Sequence, residues 1–258
     1  GTVPWRGIVH RCYRQSATQS AVLCVSLTAH KLAGTYQTMA TRYIALNEFC
    51  RRKFIEAGLP ARKIAVKPNF VDEPSGNNFR RSGALFVGRL SPEKGIHVLL
   101  DALSKTPSAS IRCIGDGPER GSMAAMSQVA MEGFLDAPAV LDWMRRSSFL
   151  VMPSIWYENF PRTLVEAFAC GLPVIASRLG ALAEIVRHGK TGLLVTPGSA
   201  EELSEAMTWA ERYPSEMAAM GANAREEYER CYTADVNYQQ LIDIYRDSIG
   251  SPRGMEAS

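Results

Sequence analysis

Glu158 and Glu166 lie eight positions apart in Pro153–Ala167, which reads PSIWYENFPRTLVEA. The apolar run Phe149–Met152 ahead of them reads as a buried strand, and Pro161 suits the first turn of a helix. Glu158 then falls in the loop before that helix and Glu166 inside it. Eight residues of helix rise at most about 12 Å, so the two carboxylates can hold the two ends of one elongated ligand. A carboxylate accepts hydrogen bonds from vicinal hydroxyls, and the helix N–H groups between the acids can meet a phosphate. Taken singly, Glu158 also reads as a loop acid and Glu166 as a half-buried helix residue.

A second stretch offers positive charge. Gly88–Gly95, GRLSPEKG, leaves the apolar run Ala84–Val87 and enters a helical pattern. It presents Arg89 and Lys94 close to a helix N-terminus. Arg can grip two oxygens at once, while Lys acts as a point charge. The pair reads either as a phosphate or diphosphate site or as a charged surface loop. Ile114–Glu119, IGDGPE, reads mainly as a structural turn, because Gly121 falls one position late for a dinucleotide-binding G-x-G-x-x-G.

Other motifs fail on inspection. Gly189-Lys190-Thr191 resembles the end of a P-loop, but Glu184 stands where the first glycine is required. No Asp-x-Asp occurs, so no divalent-metal site is expected. His10, His30, His97 and His188 lack metal-ligand spacing and nucleophile partners. Cys12, Cys24, Cys50, Cys113, Cys170 and Cys231 form no C-x-x-C pair and read as buried free thiols in a reducing compartment.

These residues need a scaffold, and the second half of the chain supplies its pattern. Apolar runs recur at Ala84–Val87, Ile111–Ile114, Ala130–Glu132, Phe149–Met152, Val174–Ala176 and Leu193–Val195, and most are short and continuous, as in buried parallel strands. Helical patterns separate them at His97–Ser104, Glu119–Met126, Ala137–Arg146, Arg162–Ala169 and Ala181–Val186. Such alternation implies a doubly wound α/β sheet, whose ligands sit beyond the strand carboxyl ends. Three further helices are expected near 200–211, 215–230 and 234–248. The first part reads as a helix over 8–33, a strand at Tyr43–Leu46, a helix capped by Asn47 and stopped after Ala57 by Gly58, and a strand at Lys63–Lys67. Pro68–Ser82 is the linker candidate.

The chain has 258 residues, 46% hydrophobic and 21% charged, the composition of an ordinary globular protein. No apolar run approaches the roughly 20 residues of a spanning helix, and no signal peptide is evident. A cytoplasmic location follows as an expectation. Net charge is +3, but residues 1–63 hold ten Lys/Arg against two Asp/Glu. That excess reads as a solvated helix face or as a contact with anionic membrane. No nucleic-acid motif accompanies it.

Four blocks in order, Ala84–Gly95, Ile114–Glu119, Pro153–Ala167 and Gly171–Leu194, resemble the donor domain of retaining glycosyltransferase family 4, of the GT-B fold. Arg42–Asp72 resembles the stretch before that family's interdomain linker. The resemblance implies a Rossmann-like donor domain at 83–232, a linker at 73–82, and an incomplete N-terminal acceptor domain at 1–72. A C-terminal helix at 233–258 would cross back to the acceptor domain. It implies that Arg89 and Lys94 neutralise the diphosphate of a nucleotide-sugar donor. Glu158 and Glu166 are the two acids of the E-x7-E motif, meeting the donor sugar and the nucleotide ribose. Asn159, Phe160, Pro161, Arg162 and Thr163 would offer backbone N–H groups, and Glu132, Gly133, Phe134 and Leu135 would border the base. The implied activity is retaining hexosyl transfer without cofactor or metal. Much of the acceptor domain would be missing, so the chain reads either as a fragment of a longer protein or as a truncated family member, and is expected to be poorly active alone. A non-catalytic nucleotide-sugar-binding module, a nucleotide-sugar epimerase and a phosphorylase are the alternatives. No pyridoxal-phosphate lysine motif supports the last.

Overall fold

The structure, a computed structural model, describes residues 5–74, 80–106 and 108–250. Residues 75–79 of the expected linker and 251–258 of the expected C-terminal helix lie outside the described residues. The chain divides into two compact units, one made of residues 1–44, 51–65 and 244–258 and the other of 45–50 and 66–243.

The first unit draws on helices α1 (Arg6–Val9), α2 (Ala17–Leu32) and α3 (Thr35–Thr38). Strand β1 (Tyr43–Ala45), helix α4 (Glu48–Glu56) and strand β2 (Ile64–Val66) follow, and β1 pairs with β2. The single helix expected over 8–33 is instead two. Arg11, Arg14 and Gln15 have φ of 50°, 49° and 55°, which no α-helix tolerates. Ser16 then restarts the chain as an N-cap, its hydroxyl accepting from the Gln19 N–H at 3.3 Å. Asn47 caps α4 as expected, its Oδ1 accepting from Cys50 N at 2.8 Å.

The second unit is built on β3 (Ala84–Val87), α5 (Ile96–Lys105), β4 (Ile111–Ile114), α6 (Arg120–Ala124) and β5 (Val129–Gly133). It continues through α7 (Ala137–Arg146), β6 (Phe149–Met152), α8 (Arg162–Ala169), β7 (Val174–Ser177), α9 (Gly180–Ile185) and β8 (Gly192–Val195). Helices α10 (Ala200–Arg212), α11 (Pro214–Cys231) and α12 (Ala234–Gly250) complete the chain, and α12 runs into the first unit's residues. The six strands are all parallel, in the order β5-β4-β3-β6-β7-β8. Every residue of β6 and β7 is buried, which explains their unbroken apolar runs.

Helices cover both faces. On one, Leu85, Leu150 and Val174 pack with Leu164, Val165 and Phe168 of α8 and Tyr228 of α11. On the other, Phe86, Ile111 and Ile175 pack with Leu99 and Leu103 of α5 and Leu203 and Met207 of α10. Each such side chain contributes about 1.5–3 kcal/mol when fully buried. The winding reverses between β3 and β6: β4 and β5 follow β3 in one direction, and β7 and β8 follow β6 in the other. In doubly wound sheets the crevice at this reversal receives ligands.

Candidate functional site: two clefts at the sheet reversal

The loops after β3 and β6 flank the reversal. The first is locked to its neighbour by backbone bonds that prolong the sheet. Gly88 N donates to Ile114 O at 3.0 Å, Leu90 N to Asp116 O at 2.9 Å, and Glu119 N to Leu90 O at 2.9 Å. A Cβ on Gly115 would stand 1.9 Å from the Gly88 carbonyl oxygen, so this approach requires glycine. Leu90 and Ser91 are buried, which leaves the exposed Arg89 as the outward residue of the turn. The IGDGPE stretch is thus the brace of the Arg89 loop.

Lys94 ends a single 3-10 turn, Pro92–Lys94, and Gly95 follows with φ 74°. A Cβ at Gly95 would lie 1.9 Å from the Pro153 carbonyl oxygen. The β3 and β6 loops therefore pack backbone to backbone, and Ile155 N donates to Glu93 O at 3.1 Å. This contact brings the Lys94 ammonium to Oε1 of Glu158 at 2.6 Å. The Ser154 hydroxyl donates to the same oxygen at 3.0 Å. Next to them, a hydrogen bond from the Ser91 hydroxyl holds the Glu93 carboxyl below its usual range, aided by its own N–H and by the charges of Arg89 and Lys94.

Two adjoining clefts share Val87, Gly88 and Arg89. One, of about 300 Å³, is lined by Lys94, Ser154, Glu158, Phe160, Pro161, Arg162 and Thr163. The other, of about 440 Å³, is lined by Asp116, Phe134, Leu135, Val140 and Glu166. Arg89 lines both clefts, one of which holds Glu158 and the other Glu166. Glu166 accepts from Arg162 Nε at 2.8 Å, and its side chain is only 16% exposed. Three larger cavities, of about 580, 740 and 660 Å³, lie elsewhere. Two open at the amino ends of the strands and one flanks β8, so none meets the reversal.

Most candidate residues from the sequence are brought together here: Arg89, Lys94, Glu158, Phe160, Pro161, Arg162, Thr163, Glu166, Phe134 and Leu135. Asn159 and Gly133 do not line the clefts. The Asn159 carbonyl accepts from Asn47 Nδ2, and the Gly133 carbonyl accepts from Gly115 N. Glu132 pairs with Arg112, whose guanidinium lies 3.9 Å over the Trp143 ring. The Arg162 N–H, expected to face a ligand, donates to Phe160 O at 2.9 Å. Ser154 was missed by sequence reasoning, although its place one residue past the β6–Pro153 step was a usable signal. Thr191 of the discarded P-loop look-alike is buried, its hydroxyl accepting from Arg187 N. Among the described residues, no three His, Cys, Asp or Glu side chains group as a metal site.

The family model for glycosyl transferases group 1 matches residues 72–227. The chain belongs to this family. Its parallel sheet and its structural neighbours give it the GT-B type of fold expected from the sequence.

Among solved structures, this group 1 chain is similar to HepE of Anabaena in complex with UDP. The two share 26% identity at a TM-score of 0.73, covering 85% of this chain and 66% of HepE. Among curated relatives, it is 31% identical to an exopolysaccharide phosphotransferase of Streptomyces coelicolor, over 77% of this chain and 22% of that protein. It is 29% identical to an uncharacterized glycosyltransferase of Methanocaldococcus jannaschii, over 80% of this chain and 61% of that protein. A D-inositol 3-phosphate glycosyltransferase of Rhodococcus opacus is 34% identical over 65% of this chain and 41% of its own length. The chain thus spans less than two thirds of each of these relatives.

Proposed function

We propose that this chain is the donor-binding part of a retaining glycosyltransferase of family 4 that uses a nucleoside-diphosphate sugar. The observation that carries this reading is the pair of adjoining clefts around Arg89, with Glu158 in one and Glu166 in the other. A nucleotide sugar is an elongated anion with a sugar at each end, and the clefts offer one acid each and a shared cation. HepE's complex with UDP makes UDP the first nucleotide to test.

In this reading Glu166 accepts hydrogen bonds from the ribose hydroxyls, and Glu158 accepts them from the transferred hexose. The exposed Phe134 and the neighbouring Leu135 border the base. Arg89 and Lys94 face the diphosphate, where negative charge grows as the leaving group departs. Preorganised cations at such a point supply transition-state stabilisation, which makes a metal ion unnecessary. The bond between the anomeric carbon and the diphosphate oxygen breaks. The acceptor oxygen bonds to that carbon on the same face, and its proton passes to the departing phosphate. Lys94 exchanges its bond with Glu158 for the phosphate, which frees a carboxylate oxygen for the sugar.

Titration calorimetry with UDP, GDP and ADP tests the reading, using the chain and its Glu166→Ala variant. One nucleotide should bind, and the variant should weaken it about tenfold, the weight of lost hydrogen bonds to a charged group. Binding of no nucleotide by a folded sample would count against the donor reading and for an interaction module.

A peripheral contact with anionic membrane is part of the proposal. From Trp5 to Asn47 there are five Lys/Arg and no Asp/Glu. Val22, Val25, Ala29 and Leu32 lie along one face of α2 and are all exposed. An exposed apolar helix face flanked by basic residues such as Arg6, Arg11, Arg14 and Lys31 suits a membrane interface rather than a span. Among the described residues no helix is long and apolar enough to cross a membrane.

A further inference from the structure

The residues on either side of Glu158 are both held by the beginning of α4. Asn47 makes two different bonds there. Its Oδ1 caps the helix through Cys50 N at 2.8 Å, and its Nδ2 donates to the Asn159 carbonyl at 2.6 Å. The Cys50 thiol approaches the same carbonyl at 3.6 Å. On the other side of Glu158, the Tyr157 ring lies 4.8 Å from that of Phe49.

The helix start is itself anchored. Glu184 of α9 accepts from Glu48 N at 2.8 Å and from Phe49 N at 2.7 Å, one backbone N–H to each carboxylate oxygen. Gly180 leaves room for the ring pair, since a Cβ there would stand 2.9 Å from Tyr157 Cδ1. Residues 153–161 carry no regular secondary structure. Their conformation depends on tethers of this kind.

Capping alone does not call for asparagine. Serine or aspartate caps a helix as well, but neither carries the amide N–H that reaches Asn159. Asn47 is 5% exposed, so both ends of its amide are committed. We propose that Asn47, through its Nδ2 bond to Asn159, is a positioning residue that sets the Glu158 carboxylate for the donor sugar, with Glu184 holding Asn47's helix in place. This rests on reading Glu158 as the acid that meets the sugar. Glu166 sits in α8, outside the tethered loop, so the nucleotide end of the site is independent of Asn47.

Asn47→Ser and Asn47→Asp keep a cap oxygen and remove the donor, and melting temperatures identify which of them folds as the wild type does. Hydrogen–deuterium exchange is followed for residues 153–161 in the ligand-free protein. Calorimetry compares UDP with UDP-glucose, or with the sugar nucleotide of whichever base binds. Exchange in 153–161 should speed up about tenfold, as expected for one lost buried hydrogen bond, while α4 stays protected. Affinity for the nucleotide should change by less than about twofold, while the added affinity from the sugar is lost by about tenfold. Unchanged exchange in the loop would overturn the proposal, as would an equal loss for nucleotide and sugar nucleotide. Should the wild-type chain bind no nucleotide, the donor reading falls, and the exchange rates alone support or overturn the tether.

Discussion

The Lys94 ammonium meets Oε1 of Glu158 at 2.6 Å, and each comes from a different side of the sheet reversal. Their side chains are 29% and 17% exposed, so the pair is partly shielded and stronger than an ordinary surface ion pair. It joins the phosphate-facing cation to the sugar-facing acid before any ligand arrives. Lys94→Met should therefore weaken diphosphate binding about 10- to 100-fold, since bonds to charged groups are worth about 1.5–3 kcal/mol. Affinity for the nucleoside without phosphates should not change. Calorimetry with uridine and UDP separates the two, and an equal loss for both would assign Lys94 a purely structural role.

Gly95 makes the juxtaposition sterically possible. Gly95→Ala should destabilise the protein in urea unfolding by about 1–3 kcal/mol from its left-handed backbone alone, with a further loss from the Pro153 clash. Gly83 is the control: its φ is 72°, and nothing lies within 4 Å of an added Cβ. Gly83→Ala should show the backbone penalty without the clash. Equal losses at the two positions would mean that the β6 loop yields freely to the new methyl group.

Alkaline pH should expose the two buried thiols of the sheet unit. Burial pushes the Cys113 thiol up to about 12 and, as the main cause, the Cys170 thiol up to about 11. In the unfolded chain each ionises near its ordinary value of 9.0. A raised folded pKa gives stability that is complete below pH 9 and lost as pH climbs toward the folded value. The loss is about 1.4 kcal/mol per pH unit for each group. Lys67 works in the opposite sense, because desolvation lowers its pKa, and stability rises with pH from that lowered value up to the ordinary 10.5. Cys113→Ala with Cys170→Ala should flatten the fall in stability between pH 9 and 11, followed by urea unfolding. An unchanged slope would show that other groups dominate there.

Much of this geometry was legible in the residues. The unbroken apolar runs of β3 and β6 marked buried parallel strands, and the rule for strand ends pointed to the loops carrying Arg89, Lys94 and Glu158. The break between α1 and α2 was also written, in the Ser16-x-x-Gln19 spacing, but the apolar and basic periodicity around it read as continuous helix. The pairing of Lys94 with Glu158 was not legible. It depends on how closely two loops pack, which the Gly95 and Pro153 backbones decide. Asn47 was legible as a cap and illegible as a tether, because its second partner, Asn159, lies 112 positions away.

The basic first stretch gives a further test. Co-sedimentation with liposomes containing phosphatidylserine should pull down the chain at low salt and release it as salt rises, since exposed charges are screened beyond about 8 Å at physiological ionic strength. Val22→Asp with Val25→Asp should reduce binding more than removal of a single arginine. Absence of binding at low salt would remove the membrane contact.

The most direct test of the donor site is a comparison of Glu158→Ala and Glu166→Ala by calorimetry with a nucleotide and its sugar nucleotide. Glu166→Ala should weaken both ligands alike, by about tenfold. Glu158→Ala should spare the nucleotide and abolish the extra affinity conferred by the sugar. Equal effects of the two variants on both ligands, or none at all, would contradict an elongated donor held with its sugar at Glu158 and its ribose at Glu166.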